Sequence, residues 1–309
     1  MQEIKLGDVS ATRVVEYYGE AGTSPGDITP GIPVELWRGN RSWLQPDHVN
    51  ADFTSYVAAL QTWVLRSEGK TILVDTGAGN GRDRPLATFA HLHTSFLADP
   101  AAAGVTPQDV DVVVNTHLHL DHTGWNTRLE DGQWVPTFPN ATYLMPKTDF
   151  DFWNPASGHV SRVLGQGNDG SFTDSVEPVH QAGQAVLWED SYTIDSSLRL
   201  EPAPGHTPGS SALKLHSGPE RAVFAGDTVH VPVQFLEPDC SSSLDEDPAA
   251  ARATRLAVLG WAADNGALVM PGHLGGTGGV ELTRDGTKFA IKQWAPFDRI
   301  SPRPASNPG

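Results

Sequence analysis

The chain reads as an α/β protein built as a layered α/β/β/α sandwich. Two observations predict this class. The elements run strands, helix, strand, then strands, helix, strand, so the chain divides into two β-rich halves that each carry helices. The run Asp111-Val112-Val113-Val114-Asn115 is apolar with no polar alternation, the pattern of a buried strand.

Residues 9–18 are rich in β-formers and read as a strand. Residues 19–54 scatter Trp37, Trp43 and Phe53 among glycines and prolines and read as a long N-terminal loop extension, part of a substrate rim. Two β-rich runs then flank Ser67-Glu68-Gly69-Lys70, a hairpin signal, and the second ends in Asp75-Thr76-Gly77. Residues 85–103 have helical spacing, and Thr106-Pro107-Gln108-Asp109 reads as the start of a short helix before the strand at 111–115. Residues 141–145 form a further strand, and the polar, Gly-rich stretch 154–175 reads as a loop or lid. Short β-rich runs recur from 176 to 231. Residues 248–263 give the clearest helix, with Asp245 or Asp247 near its start. ALVMPGH is a strand ending in a histidine, and residues 280–294 read as a hairpin or as a strand followed by a short helix. The chain is taken as one domain over 1–309, with 301–309 a disordered tail.

Composition narrows the function. The formal net charge of −16 repels phosphate backbones and anionic lipid, so nucleic acid and membrane surfaces are poor partners. Cys240 is the only cysteine, which rules out an intrachain disulfide. No basic segment followed by an apolar one opens the chain, and no apolar run approaches the roughly 18 residues that span a bilayer. Taken as full length, the chain is expected to be cytoplasmic.

The chemistry concentrates in His117-Leu118-His119-Leu120-Asp121-His122, four metal-capable side chains directly after a buried strand. Imidazole and carboxylate suit zinc, iron or manganese, and no thiolate is near. On a turning loop, His117 and His119 can reach one metal while Asp121 and His122 reach another. Three later pieces repeat the pattern of a strand followed by a ligand beside glycine: Pro204-Gly205-His206-Thr207-Pro208-Gly209-Ser210, Gly226-Asp227-Thr228 and Pro271-Gly272-His273. A lone Gly-His or Gly-Asp is more often a turn; their weight comes from following the first cluster in this order.

HLHLDH, PGHTPGS, AGDT and PGH in this order resemble the metallo-β-lactamase-fold hydrolases, over roughly residues 55–280. The resemblance implies the four-layer αββα sandwich of that family and two divalent metal ions, zinc first, with iron, manganese or cobalt as alternatives. It implies His117, His119 and His206 on one metal, Asp121, His122 and His273 on the other, and Asp227 bridging both. Asp75 matches the family's early supporting aspartate. The segment GDTVHVPVQF, with His230, Gln234 and Phe235, resembles the branch that contains methyl parathion hydrolase and related lactonases and arylesterases. Trp125 stands where the family usually has a second glycine and is expected to face the pocket. Phe150, Trp153 and Phe235 are candidates for its apolar wall, and His230 for a substrate contact.

The implied function is a metal-dependent hydrolase whose metal-bridging hydroxide cleaves a neutral ester or lactone, with side activity on organophosphate triesters. Asp121 and Asp227 are its catalytic carboxylates: Asp121 also relays a proton and Asp227 keeps the metals together. The alternative is a thioester hydrolase resembling glyoxalase II. A small-molecule substrate is expected, and a homodimer formed through residues 19–54.

Overall fold

The computed structural model describes residues 2–85, 88–98, 104–163, 165–166 and 170–302. Two seven-stranded sheets carry the architecture. The first holds, side by side, β1 (Glu3–Leu6), β2 (Val9–Glu20), β3 (Val57–Ser67), β4 (Lys70–Val74), β5 (Val112–Val114), β6 (Thr142–Pro146) and β7 (Ala185–Trp188). Strands β1–β4 are antiparallel, and from β4 to β7 every pairing is parallel. The second holds β8 (Tyr192–Thr193), β9 (Leu198–Pro202), β10 (Ser211–Ser217), β11 (Glu220–Gly226), β12 (Leu268–Pro271), β13 (Val280–Asp285) and β14 (Lys288–Trp294). Only β11 and β12 pair in parallel there.

The apolar runs explain the layers. In β4, Ile72 and Val74 turn to the core between the sheets while Leu73 turns outward. In β5, Val114 faces the inner core and Val113 the outer one. In β11, Ala222 and Phe224 face inward while Val223 and Ala225 face outward. A strand covered on both faces needs apolar residues at both parities, which is why these runs show no polar alternation. The outer face of the first sheet is covered by Phe96, Trp125, Phe150, Trp153 and Val176. That of the second is covered by the helix Pro248–Asn265 through Val258, Leu259 and Ala262. The result is the four-layer αββα sandwich.

That helix begins where the sequence allows two choices, and the structure selects Asp247. Its carboxylate accepts from the amides of Ala249 and Ala250, both at 3.0 Å, and Pro248 takes the first turn. Asp245 has another task, described below. Residues 19–54 differ from the expected loop. They contain α1 (Pro25–Ile28), α2 (Val34–Gly39) and α3 (Arg41–Leu44), packed with Val231 and Val233 into a cluster around fully buried Trp37. Helices this short give no periodicity to read; tertiary contacts hold them. Residues 280–294 form the hairpin β13–β14 rather than a strand and helix.

The helix expected over 85–103 lies partly outside the described residues, and residues 88–97 form turns and irregular backbone. In 154–175, also described in part, there is a 3₁₀ turn at Pro155–Ser157 and a two-stranded ribbon, Val160–Ser161 with Gly165–Gln166. Most of the expected 301–309 tail lies outside the described residues. Among the described residues, no helix is long and apolar enough to cross a membrane.

Candidate metal centre and cavity

The candidate ligands all sit on loops that leave strand ends. Asp75 follows β4, the His117–His122 segment follows β5, His206 lies between β9 and β10, Asp227 follows β11 and His273 follows β12. Because β4 and β5 are parallel, as are β11 and β12, their ligand-bearing ends open on the same side. Gly272 permits the last approach: a Cβ there would stand 2.7 Å from Asp227 Oδ1.

Three imidazole nitrogens converge on one point. His119 Nδ1 lies 3.1 Å from His117 Nε2 and 2.9 Å from His206 Nε2. Beside them, His122 Nε2 lies 3.3 Å from His273 Nε2, and Asp121 reaches to 3.5 Å from His273 and 3.9 Å from His122. Asp227 stands between the two groups: its carboxylate is 3.4 Å from His206 and 3.9 Å from His117 on one side, and 3.0 Å from His273 and 3.3 Å from His122 on the other. The structure therefore brings together all seven residues expected to hold metal.

The outward nitrogens are held as well. His122 Nδ1 meets Asp75 Oδ2 at 2.9 Å, His273 Nδ1 meets the Ala59 carbonyl at 3.0 Å, His206 Nδ1 meets Asp245 Oδ1 at 3.3 Å, and His117 Nδ1 meets Thr116 Oγ1 at 3.1 Å. Such partners fix ring orientation and tautomer in metal sites. Asp75 sits in the left-handed region, φ 58°, and is held there by the amide and hydroxyl of Thr116. Asp245 and the Ala59 carbonyl carried no sequence signal as supports, since each joins its partner across the fold.

Burial, reinforced by the neighbouring imidazoles, pushes His117 and His119 well below the ordinary histidine range, so both are neutral at pH 7. Burial also opposes charge on His122, but Asp227, Asp75 and Asp121 outweigh it and hold this imidazole well above its ordinary value. Asp227 stays ionised despite burial because His273 and His122 face it. These donors fit divalent cations. His119 Nδ1 carries either one N–H or one lone pair, so it can pair with only one of the two imidazole nitrogens that approach it, and Asp227 Oδ1 and both nitrogens of His230 are buried without a hydrogen-bond partner. Nitrogen and carboxylate donors with no thiolate are the set that borderline divalent ions accept.

A cavity of about 120 Å³ opens over this cluster. His119, Asp121, His206, Asp227, His230 and His273 form its floor; Ile28, Phe89, Leu120, Val163 and Leu244 give it apolar walls, and Tyr56 adds a phenol. Residues 19–54 thus do reach the rim, through Ala21, Thr23 and Ile28. His230 lines the cavity beside Asp227, at 3.4 Å. The expected aromatic wall is placed elsewhere. Trp125 is buried, donates its indole N–H to Glu16 at 2.6 Å and stacks on Phe96. Phe150 packs on Phe172 and His180, and Phe235 lies in the cluster under the helix Pro248–Asn265. None of these three is among the described residues lining the cavity, because each lies on the outer, helix-covered face of its sheet. Trp153 is buried with its ring 5.1 Å from that of His119.

Fold and site together define a class. The sequence profile of the metallo-beta-lactamase superfamily matches residues 60–273, and the chain belongs to that superfamily. Among curated relatives, it is 29% identical over 120 residues to the N-acyl homoserine lactonase AttM of Rhizobium radiobacter, a match covering 36% of this chain and 38% of that protein. It is 29% identical over 140 residues to AttM of Azorhizobium caulinodans, covering 40% and 43%. The chain thus spans about two fifths of the length of these relatives. Among solved structures, the hydrolase AbOPH of the β-lactamase superfamily superposes with a TM-score of 0.76 at 25% identity, covering 94% of this chain and 95% of that one. The dizinc quorum-quenching lactonase AidC shares the fold, with a TM-score of 0.72 at 23% identity and coverage of 99% and 98%.

Proposed function

We propose that this protein is a metal-dependent hydrolase that holds two divalent ions, zinc in the first instance, and cleaves a neutral carboxylic ester or lactone. The observation that carries the reading is the cavity: its floor is the ligand cluster, its walls are apolar, and none of its described lining residues is a lysine or arginine. Such a wall suits an acyl or aryl group rather than an anion. The lactonase relatives AttM and AidC support the same substrate class. Organophosphate triesters, which are also neutral, are proposed as side substrates.

His117, His119 and His206 would hold one ion, Asp121, His122 and His273 the other, with Asp227 shared. When bound, such a pair supplies Lewis acidity and a water ionised near neutral pH. The chain's own groups do the rest. Asp227 keeps the two ligand groups together. Asp121, half-buried on the cavity floor, would accept a proton from the attacking water. His230 is pushed down to about 3 by burial, so at pH 7 it meets substrate as a neutral imidazole. The hydroxyl of Tyr56 is raised above its ordinary value by burial and by Asp121 and Asp227, so it stays protonated and donates to the oxygen that gains charge as the carbonyl is attacked.

The test is a rate panel with zinc-loaded protein at one pH: an acyl homoserine lactone, a simple γ-lactone, an aryl ester, a phosphotriester and an S-acyl glutathione. Preference for lactone or aryl ester, abolished by chelator and restored by zinc, is expected. Preference for the glutathione thioester, or turnover indifferent to chelator, would overturn the reading.

A further inference from the structure

Thr207, Gly209 and Ser210 belong to the motif around His206, yet none is a metal-capable ligand. Their contacts converge on a carboxylate outside the cluster. Asp149, in the short helix Lys147–Trp153 after β6, is fully buried and has no ion pair among the described residues. Its Oδ2 accepts from the Leu118 amide at 3.0 Å and the Thr207 hydroxyl at 2.8 Å, and its Oδ1 accepts from the Gly209 amide at 2.6 Å. Leu118 lies between His117 and His119, and Thr207 follows His206. One carboxylate therefore ties a loop of the first sheet to a loop of the second.

The fit is close. A Cβ on Gly209 would stand 2.4 Å from the Asp149 backbone nitrogen and 2.8 Å from its Oδ1, so only glycine lets this amide reach the carboxylate. Ser210 Oγ completes the arrangement, 2.9 Å from the Thr207 amide and 2.7 Å from its hydroxyl. Nearer the strands, the Ser211 amide donates to the Thr116 carbonyl at 2.8 Å. That contact fixes the loop bases, while Asp149 fixes the tips where the imidazoles are mounted. Burying a carboxylate without a cation is costly. Here burial raises its pKa, and the Thr207, Leu118 and Gly209 donors act against that rise.

We infer that Asp149 is a positioning residue: it sets the separation of His117 and His119 from His206 and thereby the metal affinity of that triad. The inference rests on the proposed metal centre. Metal–imidazole bonds are only about 2.0–2.1 Å long, so a shift of a few tenths of an ångström between the loops removes one ligand from range.

The experiment is a zinc titration of the metal-free full chain against a chromophoric chelator, for wild type, Asp149→Asn, His206→Ala and His273→Ala, with thermal unfolding of each metal-free protein. Asp149→Asn is expected to weaken one binding step about 10–100-fold, the range for groups that orient ligands. It should be the step lost in His206→Ala, and the step lost in His273→Ala should be unchanged. A lowered unfolding temperature with both affinities intact, or weakening of the other step, would overturn the inference. Should Asp149→Asn fail to fold, Thr207→Val deletes a single bond of the clamp; several-fold weakening of the same step is expected, and wild-type affinity would overturn it. Wild type that binds no zinc would refute the metal centre itself, and is told apart because the defect precedes any substitution.

Discussion

Tyr56 and Ala58 line the cavity while Val57 and Ala59 pack beside Tyr18 on the opposite side of the strand. The alternation of a β-strand thus delivers one phenol to the site, and it makes no hydrogen bond within the protein among the described residues. A neutral donor facing a developing oxyanion acts in the transition state more than in the ground state. Tyr56→Phe is expected to lower kcat on the order of 100-fold, as loss of one such donor does, with little change in KM and full metal content. Unchanged kcat, measured beside metal content, would remove Tyr56 from the chemistry. His230 differs in kind: it lies 3.4 Å from Asp227, so its replacement is expected to disturb the candidate metal ligands themselves.

Among the elements, the helix Pro248–Asn265 joins the parallel strands β11 and β12, which bear Asp227 and His273 at their ends. A parallel pair cannot be joined by a tight turn, so a crossover element is needed, and this helix is it. Its start is fixed by Asp247, and its end by Gly266 in the left-handed conformation, φ 60°. Asp247→Ala removes the acceptor for two amides and is expected to cost about 1 kcal/mol of unfolding free energy, read from urea denaturation of the metal-free protein. Wild-type stability would show the cap to be dispensable. Two residues earlier, Asp245 accepts from Arg255 of the same helix at 3.2 Å and meets His206, so the helix and the candidate metal site share one buried carboxylate.

For the molecule as a whole, one buried histidine contributes a loss of stability on the acid side. His48 lies in the N-terminal segment, stacked on Trp294 of the last strand, and is not among the described residues lining the cavity. Burial pushes it down to about 4. Between pH 6.5 and 4 the unfolded chain takes up a proton that the folded chain refuses, so stability falls as pH falls through this window and levels off below it. Between pH 7 and 5 the loss from this one group is about 2 kcal/mol. His48→Phe keeps the stack and removes the proton, so the metal-free variant is expected to lose about 2 kcal/mol less than wild type between those pH values. Equal losses in urea titrations at the two pH values would show that His48 titrates normally.

The sequence by itself determined the sandwich and the metal-capable set. Runs such as Ile72–Val74 and Val112–Val114 carry the burial of both strand faces in their composition, and each candidate ligand stands within a few residues of a strand end beside a glycine or within the histidine cluster. Those signals are local, so a linear reading reaches them. The tertiary structure alone decided what surrounds the ligands. It assigned Asp245 to His206, Asp149 to the loops of both sheets and Tyr56 to the cavity, and it placed Trp125, Phe150 and Phe235 under helices and loops. It also folded residues 19–54 into three short helices around Trp37. The physical reason is the same throughout: an aromatic that lines a pocket and one that fills a core have the same side chain, and a carboxylate's partner is chosen by residues that meet only after the two sheets have packed.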